Sequence, residues 1–243
     1  MSQKIVVVDE DFKGAALDAK WSTHTTKTAG TPTVSQVSAG SGADTAADGG
    51  VNLTLDSTAE VQVATLFMGD VLPYPLASLV SIDFWASLTA SIDSHVSAAF
   101  GVTGARNDTI ASITQRALFR TVGGFSAGNN ELLCESADGT NSLTQQDSGL
   151  TLAATKRRCR INFMEGIVTQ TPNLSTGSLT NLIFEAENSR GQLRRLLRNK
   201  QFNISAGTGG MQIFAQIQKT SNAAVGTLTI HRVRLAFREG VNP

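Results

Sequence analysis

The sequence predicts an all-β chain folded as an antiparallel sandwich, with one short helix at most. Three observations predict it. Apolar and polar residues alternate with period two over many short segments. Clusters of Gly, Asn, Asp and Ser break those segments at the spacing of an all-β domain. The chain also opens on an apolar run at residues 5–8 followed by Asp11-Phe12-Lys13-Gly14, Leu17-Asp18 and Trp21. Phe12, Leu17 and Trp21 read as core anchors beside the first strand, and Gly14 reads as a turn residue in a conformation that a side chain would forbid.

In chain order the expected strands are 4–9, 51–56, 60–68, 79–88, 96–102, 117–122, 131–136, 158–164, 180–187, 212–219 and 226–238. The last is the clearest. Leu228, Ile230, Val233, Leu235 and Phe237 are apolar, and the phase slips at His231-Arg232, which predicts a β-bulge. The Gly-, Ala- and Ser-rich stretch 35–50 is expected to be a loop. Asn107-Asp108 is a good cap, and it predicts a short helix with Ile110 and Ile113 on one face.

The 243 residues are expected to form a single domain, 1–243, since sandwiches often reach this length as one unit. With 41% hydrophobic residues and a mean hydropathy of -0.03, the chain can build a core without a disulfide or a metal. Cys134 and Cys159 are read as reduced, partly buried thiols, with a bridge between them as the alternative. The opening apolar stretch is too short for a signal-peptide core or a membrane span, so manufacture in a cytoplasm and no membrane partner are expected.

Net charge is zero, yet the charges are segregated. Residues 1–155 hold 7 Lys+Arg against 16 Asp+Glu, and residues 156–243 hold 13 against 4. Such asymmetry fits a basic surface for an acidic partner, or a sandwich in which the first and last strands are neighbours. In the second case Asp9-Glu10-Asp11 face Arg232, Arg234 and Arg238.

Catalytic readings find little support. Gly124-Phe125-Ser126-Ala127-Gly128 has the spacing of a nucleophile elbow, but a strand-like run at 131–134 follows where that device needs a helix. His24, His95 and His231 are far apart and lack ligand spacing. Glu185 and Glu187 share one face of an expected strand, as a pair of hydrolytic carboxylates would. Sugar stacking needs exposed aromatics, and with Trp21 and Trp85 assigned to the core, Tyr74 is the one candidate glycan contact. Asp9, Asp11 and Asp138-Gly139-Thr140-Asn141 offer oxygen ligands for a structural calcium without forming a dedicated loop. No cofactor is otherwise expected, since Gly207-Thr208-Gly209-Gly210 lacks the spacing of a phosphate-binding loop. The sequons at Asn52, Asn107, Asn173 and Asn203 carry no weight without secretion.

The basic segment stands apart. Arg190, Arg194, Arg195, Arg198 and Lys200 lie within eleven residues, interleaved with Leu193, Leu196 and Leu197. Nucleic-acid binding would add stacking aromatics, and Phe202 alone is near. Arginine mixed with leucine is an interface composition, so these five residues are the expected partner-binding contact, with a solvated hairpin after the Asn188-Ser189-Arg190-Gly191 turn as the alternative.

Two resemblances complete the reading. Asp11-Phe12-x-Gly14-x-x-Leu17-Asp18-x-x-Trp21 and the closing Gly226-Thr227-Leu228-Thr229-Ile230-x-x-Val233-Arg234 resemble the two ends of a concanavalin A-like lectin and glucanase jelly roll. The E-x-D-x-E or E-x-D-x-x-E motif of its laminarinase-like members is absent. Segments such as Ala98-Ala99-Phe100-Gly101, Ala105-Arg106-Asn107-Asp108 and Ala117-Leu118-Phe119-Arg120 resemble phage proteins encoded near the major capsid gene. That resemblance implies a virion component, a head decoration or cement protein that binds the major capsid protein on the outer surface as a trimer or dimer. A lectin-like adhesin on the virion is the alternative, and a laminarinase-like glycoside hydrolase a more distant one.

Overall fold

The computed structural model describes residues 4–37, 49–89, 92–125, 130–163, 182–204 and 206–239. Its strands are β1 (Ile5–Glu10), β2 (Ser22–Thr26), β3 (Thr33–Val37), β4 (Gly50–Leu55), β5 (Glu60–Phe67), β6 (Tyr74–Pro75), β7 (Leu79–Leu88) and β8 (Val96–Thr103). They continue with β9 (Gln115–Val122), β10 (Glu131–Asp138), β11 (Ser142–Thr151), β12 (Arg157–Asn162), β13 (Ile183–Glu187), β14 (Leu193–Arg195), β15 (Gly210–Asn222) and β16 (Gly226–Arg238). Two single 3-10 turns, Leu76–Ser78 and Ile110–Ser112, are the helical elements among the described residues. The helix expected after Asn107-Asp108 is thus one turn, and Ile110 and Ile113 are both buried as anticipated.

The strands form two antiparallel sheets. The first runs β14-β13-β12-β7-β16-β4-β3, and the second β11-β10-β9-β8-β15-β5-β2 with β6 beside β15. In the first sheet β16 pairs β7 along one edge; its other edge pairs β4 over Gly226 to Ile230 and then β1 over Val233 to Arg238. The first and last strands are therefore neighbours. The register shift between Ile230 and Arg232 is the expected bulge.

Between the sheets lies one cluster of buried side chains. Aromatic rings cross it in a chain: Phe84 to Phe100 at 5.3 Å, Phe100 to Phe119 at 5.5 Å, Phe119 to Phe184 at 5.1 Å and Phe184 to Phe202 at 4.6 Å. Edge-to-face and offset contacts of this kind add to the area they bury. Cys134 on β10 and Cys159 on β12 project into the same cluster from opposite sheets, both fully buried and unbridged. Burial pushes both thiols well above their ordinary pKa, and at Cys159 the nearby Arg157 guanidinium offsets only part of that rise.

Phe12 and Trp21 are buried and lie 5.4 Å apart, as core anchors should. Gly14 does not have the role expected of it. Phe12 takes the left-handed conformation, at φ 52°, and a Cβ on Gly14 would meet nothing closer than 3.4 Å. The glycine that the packing requires is Gly49, where a Cβ would run into the Phe12 carbonyl as the chain enters β4. Of the stretch 35–50 expected to be a loop, residues 35–37 belong to β3, which pairs with β4, Gly50 opens β4, and residues 38–48 lie outside the described residues.

Candidate functional site

The outer face of the first sheet is built from charges in register. Cα partners run Asp9 to Arg234, Arg234 to Asp83, Asp83 to Arg160, Arg160 to Glu185 and Glu185 to Arg195. Sign alternates at every step from β1 to β14. Cross-strand pairing of opposite charges is favourable, and it also fixes register. Asp83, 2% exposed, accepts from Arg158 Nε at 2.8 Å and from Arg160 Nε and Nη2 at 2.9 and 3.2 Å. Asp9 accepts a two-pronged contact from Arg232, at 2.8 and 2.5 Å, which holds its carboxyl below the usual range. Trp85 lies between Arg158 and Arg232, each guanidinium carbon 5.0 Å from its ring centroid.

This face ends in the basic hairpin. Asn188 Oδ1 accepts the amides of Arg190 and Gln192, Gly191 turns at φ +75°, and β14 returns beside β13. Leu196 is buried and Leu197 packs against the core, which pins the segment while the cations point away. Arg190, Arg194, Arg195, Arg198 and Lys200 are all exposed on this hairpin and the turn after it. The structure therefore gathers all five on one edge.

The outer face of the second sheet is closed by its own side chains. Ile110 and Ile113 fold down onto Phe67, Ala99, Leu118 and Phe214 to make a second small core. Gln212 donates to Asp70 and Gly104 and accepts from Met68 and Asp70, and Gln216 joins Thr65 to the Asp108 carbonyl. Glu135 on β10 is wholly buried between Arg116 and Arg120, which donate to its two oxygens at 2.9 and 3.4 Å. By strand alternation Glu131 and Leu133 share this face with Glu135. An apolar residue thus stands midway between two glutamates, where a catalytic strand motif would need an aspartate. Beside this face an open groove of about 390 Å³ is lined by Ser112, Thr114, Arg116, Thr140, Asn141 and Thr144 among others.

Several expected site residues have other roles. Tyr74 offers no stacking face: it is 7% exposed on β6, and its ring lies 5.3 Å from Phe237. Pairing of β6 with β15 turns the ring into the core, a consequence of tertiary register that the flanking prolines did not reveal. Glu185 and Glu187 belong to the charged outer face of the first sheet; Glu187 accepts the Arg158 amide at 3.2 Å. Asp138 closes the β10–β11 turn, accepting from Thr140, Asn141 and Ala206 at 2.6 to 3.0 Å. No group of three or more His, Cys, Asp or Glu among the described residues is placed to hold a metal ion. His24 contacts Thr26, His95 contacts Asp93 and His231 contacts Ser87, so the three do not converge. Ser126 and the sequon at Asn173 lie outside the described residues.

No known family profile matches the chain, and no curated protein matches it in sequence. Solved structures do match in fold. A protein of unknown function, SO2946 from Shewanella oneidensis MR-1, superposes with a TM-score of 0.60 at 12% identity, over 100% of this chain and 90% of its own. A glycoside hydrolase family 16 endo-glucanase from Bacteroides ovatus gives 0.58 at 12% identity over 94% and 99%. Peanut lectin gives 0.57 at 10% identity over 96% and 97%. The fold is the concanavalin A-like lectin and glucanase sandwich, which hosts both sugar binding and sugar cleavage; function must be argued from this chain's own side chains.

Proposed function

We propose that the chain is a non-catalytic virion structural protein, a decoration or cement protein that binds the outside of a phage head and strengthens it. The observation that carries the reading is the basic hairpin. Five exposed cations project from one edge strand and its turn, anchored beneath by Leu196 and Leu197. Such an edge suits carboxylates of the major capsid protein, where arginine pairs in two-pronged geometry. Each contact is weak at a wet surface, but a lattice of repeated sites multiplies modest affinities. A trimer or dimer on a symmetry axis would place several hairpins against the shell at once. The resemblance to proteins encoded near capsid genes supports the same setting, with synthesis in the host bacterial cytoplasm and residence on the virion surface. The reading calls for no cofactor. Support for a non-catalytic role comes from Glu135, whose two oxygens are engaged by buried arginines and are out of reach of a substrate.

A second reading, a glycan-binding adhesin on the virion, is favoured by the hydroxyl-lined groove of about 390 Å³ beside the second sheet. It would bind without an aromatic platform, because no aromatic side chain is among the residues lining that groove.

Co-sedimentation with capsids that lack the protein tests the first reading. Saturable binding and a raised temperature of DNA release are expected, with attachment weakened by Arg194→Glu combined with Arg195→Glu. Attachment unchanged by that pair would exclude the hairpin as the contact. No capsid binding together with a positive glycan array would favour the adhesin.

A further inference from the structure

The first sheet carries a pocket at the β16 bulge, away from the basic hairpin. Its lining comes from Asp11 and Lys13 after β1, Trp85 on β7, Lys156 before β12, and His231 and Arg232 on β16, around a cavity of about 160 Å³. Lys13, Lys156 and Arg232 line it with the carboxylate of Asp11, and Asp9 pairs with Arg232 from beside the pocket, which leaves one cation in excess. We propose that this pocket receives a glutamate side chain from an acidic segment of a protein partner, as a second contact of the docking proposed above, on which this inference rests.

Three features fit that occupant. Two of the cations are positioned before binding: Asp9 holds Arg232, and Lys13 pairs with Asp11 at 3.1 Å in a turn closed by the Lys13 amide. Such preorganisation reduces the entropy lost on association. Trp85 lines the pocket with Arg158 and Arg232 stacked on its ring, and Trp flanked by Arg is the composition of interface anchors. Asp11 in the lining opposes a doubly charged phosphate more than a singly charged carboxylate. His231, 7% exposed, closes the floor with its Nε2 2.9 Å from Ser87 Oγ.

Trp85 lines the pocket and reports on it, and Trp85→Phe separates its signal from that of Trp21, which is buried against Phe12. The full chain is titrated with a tri-glutamate peptide blocked at both ends, at constant ionic strength, while tryptophan emission is followed. A saturable change is expected that vanishes in Trp85→Phe, weakens roughly tenfold or more in Lys13→Glu combined with Lys156→Glu, and persists in Arg194→Glu combined with Arg195→Glu. Three results would overturn the proposal: no saturable change, an equal change with inorganic phosphate or sodium chloride, or an unaltered titration in the folded lysine double variant. Peptide binding without capsid binding would retain the pocket and reject the capsid reading. Capsid binding without any peptide response would do the reverse.

Discussion

Arg116 Nε donates to Glu135 Oε1 across 2.9 Å where the two side chains are 6% and 0% exposed, with Arg120 completing the group from the other side. Ion pairs this deep are held by mutual dependence. Their desolvation offsets much of their attraction, and removing one partner strands a buried charge. Glu135→Leu should therefore lower unfolding free energy by about 3–5 kcal/mol in urea. Replacing Arg116, Arg120 and Glu135 together by Met, Met and Leu should recover most of that loss. A triple variant as unstable as the single one would show that the group does more than satisfy itself.

Acid should loosen the loop before β3 first. Glu60 accepts the amides of Ala29, Gly30 and Thr28 at 2.7 to 2.9 Å, and these bonds, led by that from Ala29, lower its pKa to about 2 from 4.5. A carboxylate depressed in the folded state contributes stability that is present above its unfolded pKa and lost as pH falls toward the folded one. Stability should decline between about pH 4.5 and 2, and Glu60→Gln should reduce that part of the pH dependence. Matching acid-unfolding curves for the two proteins would count against the loop as the acid-sensitive element.

Alkali acts through the cysteines. Cys134 and Cys159 are raised above the ordinary 9.0 by burial, so the folded chain keeps protons that an unfolded chain releases. Their contribution is complete below about pH 9 and is lost as pH rises beyond it. Both thiols should resist alkylation in the native protein and react in denaturant. Cys134→Val with Cys159→Val should flatten the stability profile above about pH 9; an unchanged slope would assign the alkaline loss to other groups.

Two glycines near the start of the chain should respond in opposite ways. Gly14→Ala meets Ala16 and Gln36 at ordinary contact distance, 3.4 Å and beyond, and should shift stability by no more than about 0.5 kcal/mol. Gly49→Ala drives a methyl into the Phe12 backbone and should destabilise by about 1–3 kcal/mol, read from thermal midpoints. Equal effects would mean that the Phe12 turn can move away from β4.

The strands without a clear sequence signature share a location. β3 and β14 are the edges of the first sheet, and β2 and β11 the edges of the second. Edge strands bury little on either face and carry polar residues that discourage further pairing, so their alternation is faint in the sequence. The segment Ser22–Thr26 is entirely polar by composition, and Ser142–Thr151 has two leucines at its ends. Central strands such as Leu79–Leu88 and Gly226–Arg238 were legible to the residue because both bury a full inner face.

The candidate sites divide in the same way. The basic hairpin was visible because its five cations are local in the chain. Glu135 with Arg116 and Arg120, and the pocket joining Asp11, Lys13 and Lys156 to Trp85 and Arg232, were not, since no spacing links residues that only sheet pairing brings together. Tyr74 failed as a surface aromatic because exposure depends on which face β6 presents to β15.

By itself the sequence determined the sandwich, its central strands, the bulge in the last strand and the segregation of charge, all of which follow from periodicity, turn residues and composition. The tertiary structure alone decided the pairing of first and last strands, the alternating charges from Asp9 to Arg195, and the burial of Tyr74 and Glu135. The physical reason is that side-chain alternation assigns a residue to one face of its own strand, whereas neighbours across a sheet are set by register between strands distant in the chain.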